Sequence, residues 1–487
     1  MNMRGTHAGL RLTAHKQRST RHPVRQANLP AQLVLALDQQ AGVPAIALVQ
    51  VGEQVARGQP IARPAAELSA WLHSPVSGRV MAIEPRPAAH GGDTMSIVIA
   101  NDGQNRTHPD HAPIDYSSLT PAALCEHIAR GGIVGLGGAM FPTAAKLRQA
   151  ATAGGMHLLL NGAECEPWIS CDDMLMRERA QDVVLGARIL CHALGATRCT
   201  IAIEDDVPEA HRALQAALSL VGTAAPSLAV VSSIYPAGGE RQLIHTVVGR
   251  EVPSSGLPSD IGVVCQNVGT AAAVAKWVRD AEPLISRIVT VTGSGVREPS
   301  NVEACLGTAM AELIADCGGY ADAAGTSQSV ALIMGGSMMG LRLPNDRLPV
   351  VKGTNCVLVA TPADLQPRGP EMPCIRCGNC ADVCPASLLP QQLHWHARGN
   401  DQPALEALGL MDCIECGCCD YVCPSQIPLT QRFRSAKPAL ATALSARREA
   451  GEARARYESR GQRLARLEQE QRARLEEKRR QLLGRKI

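Results

Sequence analysis

The sequence predicts a multidomain α/β protein, on three observations. Between residues 158 and 280 short apolar runs alternate with helix-length segments, the rhythm of a parallel sheet covered by helices. Upstream, from Val34 to Val80, brief strand-like runs broken by Gly and Pro suggest a small all-β unit. Downstream, eight cysteines fall into two runs of one spacing. They are Cys374-Ile-Arg-Cys377-Gly-Asn-Cys380-Ala-Asp-Val-Cys384-Pro385 and Cys413-Ile-Glu-Cys416-Gly-Cys418-Cys419-Asp-Tyr-Val-Cys423-Pro424.

Composition narrows the function. A chain of 487 residues that is 45% hydrophobic can build several packed cores. Aromatic residues make up only 2%, so base stacking has little to work with and nucleic acid is not expected as a partner. Eighteen cysteines suit metal ligation in a reducing compartment. The lead from Met1 to Arg25 is basic and polar, unlike a secretory signal. The nearest approach to a long apolar run, Leu214 to Ser233, is broken by Gly222 and Pro226, so no membrane span is expected. The formal charge of +3 is uneven: residues 438–487 hold fourteen Lys/Arg and seven Glu, or +7, which leaves −4 for the rest.

Taken in order, residues 1–30 read as a flexible lead. Residues 31–103 form the β-rich unit, with strands at Val34–Leu37 and Ala45–Val49. Its phrases Val51-Gly-Glu-Gln-Val-Ala-Arg-Gly-Gln and His73-Ser-Pro-Val-Ser-Gly-Arg-Val resemble the lipoyl/biotinyl barrel-sandwich module. Carriers of that fold acylate a lysine, and no lysine occurs between Lys16 and Lys146, so a structural or docking role is left. A polar linker, Asp102 to Ser118, precedes an α/β domain over 115–285.

That domain opens with Gly131-Gly-Ile-Val-Gly135-Leu-Gly137-Gly138-Ala-Met-Phe-Pro142-Thr, a glycine-rich turn leading into a helix. Glycines let backbone N–H groups approach an anion, and a helix N-terminus adds positive potential. On the motif alone, a phosphate loop and a plain glycine loop are both open; it is neither a Walker loop nor the full dinucleotide fingerprint. Strand Leu158–Leu160 ends at Asn161-Gly-Ala-Glu164-Cys-Glu166-Pro, on the side where open α/β sheets bind ligands. Helices at 179–194 and 208–220 alternate with strands at 199–203 and 228–231. The loop Tyr235-Pro-Ala-Gly238-Gly239-Glu240 opens another helix, and Asn267 ends the last strand. His192 and His245 fall within helices and read as packing or surface residues.

Residues 286–362 fit a β-grasp unit, with strands at 288–292, 332–335 and 356–359 and a helix over 302–317. The cysteine domain, 366–436, carries the ferredoxin spacing. In it three close thiolates hold one [4Fe-4S] cube, and the fourth reaches the other cube. Cys374, Cys377, Cys380 and Cys423 then form one site, and Cys413, Cys416, Cys419 and Cys384 the other. Zinc sites usually pair two short Cys-x-x-Cys units, which is not this pattern. Cys418 breaks the spacing and reads as a small buried residue. Residues 437–487 read as one charged helix, whose Leu464, Leu467, Leu475 and Leu482 make a thin apolar stripe.

With these loops and the doubled cysteine run in view, the chain resembles the RnfC family over residues 20 to 436. This is the flavin- and cluster-bearing member of the Rnf electron-transport complex. The middle of the chain is also similar to the flavin-binding subunit of respiratory complex I. The resemblance implies noncovalent FMN beside an NADH site, a β-grasp domain of the SLBB kind and two [4Fe-4S] clusters. It implies that Gly135, Gly137 and Gly138 meet the flavin, and that Lys146 contacts flavin or nucleotide. Asn161, Glu164 and Glu166 would line the ribityl and nicotinamide side, with Gly238, Gly239, Glu240 and Asn267 closing the pocket. Ala163 and Gly239 depart from the complex I loops, where acidic residues stand.

The chemistry implied is hydride transfer from NADH to FMN, or its reverse, followed by single-electron relay, with no side chain as nucleophile. A general acid/base pairing of Glu166 and Glu240 is weighed against simple hydrogen-bonding roles. Implied partners are the other Rnf subunits, ferredoxin or flavodoxin, and NADH. The implied place is peripheral, on the cytoplasmic face of the bacterial inner membrane. The alternatives are a soluble PduS-type cobalamin reductase and a flavin-free electron-relay scaffold.

Overall fold

The computed structural model describes residues 8–484, apart from 90, 110–111, 152–154, 223–224, 322–329 and 366–368. The chain divides into two compact units, one of residues up to 387 together with 416–427, the other of 388–415 and 428 onward.

In the first unit, the β-rich segment folds as two small sheets. One runs in the order Gln32–Ala36, Asp93–Asn101, Gly78–Pro87, Gln54–Val55; the other joins Ile46–Ala47, Pro60–Arg63 and Leu72–His73. Alternation drives the packing: Leu33, Leu35, Val80, Ile97 and Ile99 point inward and are fully buried. This core does not close on itself. Val289, Val291, Val302, Leu306 and Met310 of the β-grasp unit belong to the same apolar cluster. Gly307 sits so close that an added Cβ would lie 3.0 Å from Leu33.

The α/β unit has four parallel strands in the order Ser227–Val231, Arg198–Glu204, His157–Gly162, Val263–Asn267. The chain first winds outward from His157–Gly162, then returns to its other side, so the strand order reverses between His157–Gly162 and Val263–Asn267. Such a reversal leaves a crevice at the carboxyl ends of the two strands. The helices Ala180–Leu194 and Val268–Asp280 cross at Gly186, where an added Cβ would fall 1.9 Å from the Ala271 carbonyl.

The β-grasp unit is a six-stranded mixed sheet with the helix Met310–Asp316. The helix expected over 302–317 is only partly present. Ser300–Cys305 is instead a strand paired antiparallel to Ser286–Thr292, and the Gly307 turn, at φ +88°, delays the helix. The alternation that marks a strand is hidden here because both faces are buried: Val302 faces the shared core, while Glu303 is paired with Arg179 and Lys276.

The lead is not flexible where it is described. Its residues 1–7 lie outside the described segment, but residues 10–26 are stitched down. Leu10 bridges Tyr235, and Arg25–Gln26 adds a parallel edge to Ser300–Cys305. Ser19, Ser170, Thr290 and Asn301 form a buried, mutually hydrogen-bonded group. Lys16 lies 3.0 Å from Glu204, both nearly inaccessible. Composition conceals this, because the lead is held by polar ties that leave no apolar periodicity in the sequence.

In the second unit, short helices Pro390–Arg398 and Gln402–Ala407 precede the helix Leu429–Gly484. Leu393, Leu405, Leu410, Phe433 and Leu440 are buried. Beyond them Leu464, Leu467 and Leu475 are exposed, and the side chain of Leu482 is outside the described set. The expected single helix is present and begins earlier than residue 437. The expected 366–436 domain is divided between the two units.

Burial disfavours the Lys16 ammonium, but the charge of Glu204, then Glu164, outweighs it and raises the pKa. Replacing Lys16→Met strands the Glu204 carboxylate, and should cost about 3–5 kcal/mol in urea unfolding. The double variant Lys16→Met/Glu204→Gln should recover most of that loss. Equal midpoints for the native chain and Lys16→Met would show that the pair is not formed.

Candidate functional site

The glycine loop lies over the crevice. Gly135 N–H donates to the Phe141 carbonyl (2.8 Å), and Thr143 N–H donates to the Ile133 carbonyl (3.1 Å), closing residues 135–141 into a tight loop. Helix Thr143–Ala151 follows directly. Gly138 has φ +105° and open space where a Cβ would stand, so backbone alone is presented there. A Cβ on Gly137 would meet Asn267 Cβ at 3.4 Å, which places the loop above the end of strand Val263–Asn267.

Asn161 and Asn267 are register partners on the two strands that border the crevice. Asn161 Nδ2 donates to the Gly238 carbonyl (2.8 Å), and its Oδ1 accepts from Ala163 N–H (3.0 Å). Asn267 caps helix Val268–Asp280 by accepting Gly269 N–H (2.8 Å), and donates to Asp172 (2.5 Å). Gly238 packs so tightly on the Asn161 loop that a Cβ would fall 2.2 Å from the Ala163 carbonyl. Gly239 precedes helix Glu240–Val248. Gly137, Asn161, Gly238 and Asn267 are thus gathered at one place.

The charged candidates divide. Lys146 and Glu240 pair at 2.5 Å, each partly exposed, linking two helix starts at the rim. Glu164 caps helix Cys171–Glu178, accepting from Asp172 N–H (3.1 Å), Asp173 N–H (3.4 Å) and the Cys171 thiol (3.2 Å). Glu166, expected on the ribityl and nicotinamide side, is held by backbone amides. Its Oε1 accepts from Met338 and Met339 N–H at 2.6 and 2.9 Å, in the β-grasp unit. Glu166 and Glu240 are therefore bound to different partners and do not form an acid/base pair. His192 Nε2 lies 2.8 Å from the Leu119 carbonyl, and His245 lies on helix Glu240–Val248, as packing or surface residues would.

Several residues at the site carry no sequence signal. Thr270 Oγ1 accepts Leu136 N–H (2.9 Å). Asp172 orients Asn267. Arg287 donates to the Leu136 carbonyl (3.3 Å), and Lys352 donates to the Gly132 carbonyl (2.8 Å). Burial alone pushes the Lys352 pKa down to about 7. For Arg287 alone a hint exists: it is a charge at the head of an apolar strand.

The cradle suits a phosphate-bearing flavin: an open, side-chain-free backbone face beside a helix start, with amide side chains at the strand ends. The cysteine runs suit two cubes in donor chemistry and in local shape. None of the eight is joined in a disulfide. The copies are offset by 39 residues, and positive φ recurs at matching places: Arg376 and Glu415, Gly378 and Gly417, Ser387 and Gln426. The turns Asn379–Asp382 and Cys418–Tyr421 pack together, and Ser425 Oγ donates to the Pro373 carbonyl (2.9 Å). Cys418 is fully buried. Tyr235, in the loop that carries Gly238, donates its hydroxyl to the Cys416 carbonyl (2.5 Å).

Burial, then the neighbouring charge of Asp172, raises the Glu164 pKa from the ordinary 4.5 to about 8. In that window the folded chain keeps a proton that the unfolded chain has lost, so this carboxyl's contribution to stability falls as pH rises. Glu164→Gln removes the titration. Its urea midpoint relative to the native apoprotein should therefore climb from about pH 5 to about pH 8. A constant offset across that range would contradict the raised value.

Four domain families match the chain: the RnfC barrel sandwich hybrid domain over residues 5–104, the Nuo51 FMN-binding domain over 128–276, the SLBB domain over 288–342 and the 4Fe-4S dicluster domain over 373–427. The chain therefore carries an FMN-binding domain and a domain for two [4Fe-4S] clusters. Among the described residues no helix is long and apolar enough to cross a membrane. A solved NAD+-reducing [NiFe]-hydrogenase in the H2-reduced state aligns with a TM-score of 0.46 at 19% identity, over 70% of this chain and 69% of that one. The C subunit of the ion-translocating oxidoreductase complex of Pseudomonas aeruginosa is 49% identical over 95% of this chain and 59% of its own length. The proteins of that name from Klebsiella pneumoniae and Vibrio cholerae are 44% and 43% identical, over 60% and 58% of their lengths. The chain spans about six-tenths of the length of these relatives, and over that span it belongs to the RnfC family, the C subunits of ion-translocating oxidoreductase complexes.

Proposed function

We propose that the chain is the NADH-oxidising, electron-relaying part of an Rnf-type complex, working in either direction between NAD(H) and the partner subunits. The observation that carries this reading is the crevice at the strand reversal, with its bare glycine loop, on one polypeptide with the doubled cysteine run. FMN supplies the conversion between a hydride and single electrons, which iron–sulfur clusters can accept.

The chain's own residues then bind and orient. Backbone N–H groups around Gly137 and Gly138 receive the phosphate, and the partial positive end of helix Thr143–Ala151 favours its charge. Asn161, held by Gly238 and Ala163, keeps its amide fixed at the crevice floor. Asn267 is fixed in the same way by its cap and by Asp172. Lys146, tied to Glu240, sits where a second phosphate-bearing ligand would enter. The Tyr235 hydroxyl bond ties the pocket-closing loop to the backbone of a ligand cysteine, a short covalent and hydrogen-bonded route between the two sites. Cys374, Cys377, Cys380 and Cys423 are the ligands of one cluster, and Cys384, Cys413, Cys416 and Cys419 those of the other.

Electrons leave for other members of the complex or for a ferredoxin or flavodoxin. The chain attaches peripherally at the cytoplasmic face of the inner membrane.

Anaerobic purification should give about eight irons per chain. Replacing Cys374, Cys377 and Cys380 together by serine should leave about four. Zinc in place of iron and sulfide would overturn the cluster assignment. NADH added to the native protein should bleach the flavin absorbance, then produce the spin-resonance signals of reduced clusters. Retained clusters with no flavin, even after reconstitution, would identify an electron relay instead. A reduced cobalamin product would identify the cobalamin reductase.

A further inference from the structure

Two basic side chains of the β-grasp unit reach the glycine loop from behind. Lys352 is 1% exposed, and its Nζ donates to the carbonyls of Trp71 (2.7 Å) and Gly132 (2.8 Å). Arg287 is 6% exposed and donates to the carbonyls of Leu136 and of Lys352 itself. The barrel-sandwich unit backs this arrangement. Gln39 accepts Lys352 N–H (3.0 Å), and Ala41 N–H donates to the Met140 carbonyl (2.9 Å). Gly353 is pressed against Met140, where an added Cβ would fall 2.6 Å from the sulfur.

A peptide is planar and trans, so fixing a carbonyl in one direction sends the next residue's N–H in the opposite one. Arg287 pins the Leu136 carbonyl, so the Gly137 N–H points away from the guanidinium. Lys352 pins the Gly132 carbonyl and fixes Ile133 N–H in the same manner. The Leu136 N–H is already taken by Thr270. The glycine loop is flexible by sequence, so its outward-facing amides need an external hold. The Arg287 guanidinium is also positive, which favours a dianion on the far side of the loop.

We propose that Lys352 and Arg287 are positioning residues for the flavin phosphate: they pin two carbonyls of the glycine loop so that its amides face the anion, and the barrel-sandwich unit is the abutment they work against. This rests on the FMN reading above. It gives the lysine-free barrel-sandwich module a role other than carrying an acyl group.

The test compares FMN with riboflavin, which lacks the phosphate, by quenching of flavin fluorescence on the 487-residue apoprotein. Lys352→Met and Arg287→Lys should each weaken FMN by about tenfold or more, while riboflavin changes by about twofold or less. If both ligands weaken in step, the residues serve only general folding and the proposal is overturned. If Lys352→Met does not fold, Gln39→Ala removes the acceptor for the Lys352 amide and a donor to the Ala36 carbonyl while leaving Lys352 in place; an unchanged FMN-to-riboflavin ratio there and in Arg287→Lys would equally overturn it. A native protein that binds neither flavin would sink the FMN reading itself, a result distinct from either of these.

Discussion

The reversal of winding between strands His157–Gly162 and Val263–Asn267 is the constraint on which the site depends. With right-handed crossovers, helices from the two halves of the sheet must lie on opposite faces, and the strand ends between them stay uncovered. Asn161 and Asn267 fall at the same level because the strands pair in register. Helix Val268–Asp280 can begin there only if its first amides are capped, and Asn267 does this. The same asparagine's second hydrogen bond fixes Asp172, and its Cβ supports Gly137. One topological choice therefore sets a helix start, a half-buried carboxyl and the height of the glycine loop.

The flanking β units contribute rigidity. The barrel-sandwich and β-grasp segments share one apolar core, so neither shifts without the other. The buried group of Ser19, Ser170, Thr290 and Asn301 adds directional ties between the lead, the α/β unit and the β-grasp sheet. Buried polar groups that satisfy one another specify a single docking geometry, since any displacement leaves donors unpaired. Glu166 serves the same end. Its carboxylate is committed to two amides of the loop after Ala331–Met334.

Patterned features are legible in the sequence. The α/β alternation, the cysteine spacing and the glycine loop each rest on a local rule, and each element stands close to its expected place. Ser300–Cys305 reads as helix in the sequence because burial on both faces erases its period. The packing of the lead is invisible there because its anchors, Lys16 and Ser19, have partners at Glu204 and Ser170, far along the chain. Lys352 is silent for a related reason, and Arg287 shows only as a charge at the head of its strand. They hold backbone carbonyls, and a carbonyl has no sequence identity.

The lead also bears on the order in which the chain can fold. Arg18 bonds Ser294 across 276 residues, and Asn301 bonds the Ser19 carbonyl across 282. During synthesis these residues emerge long before their partners exist, and contacts of such span form late because so much chain must be ordered first. The segment around Arg18 and Ser19 is thus among the last to find its seat.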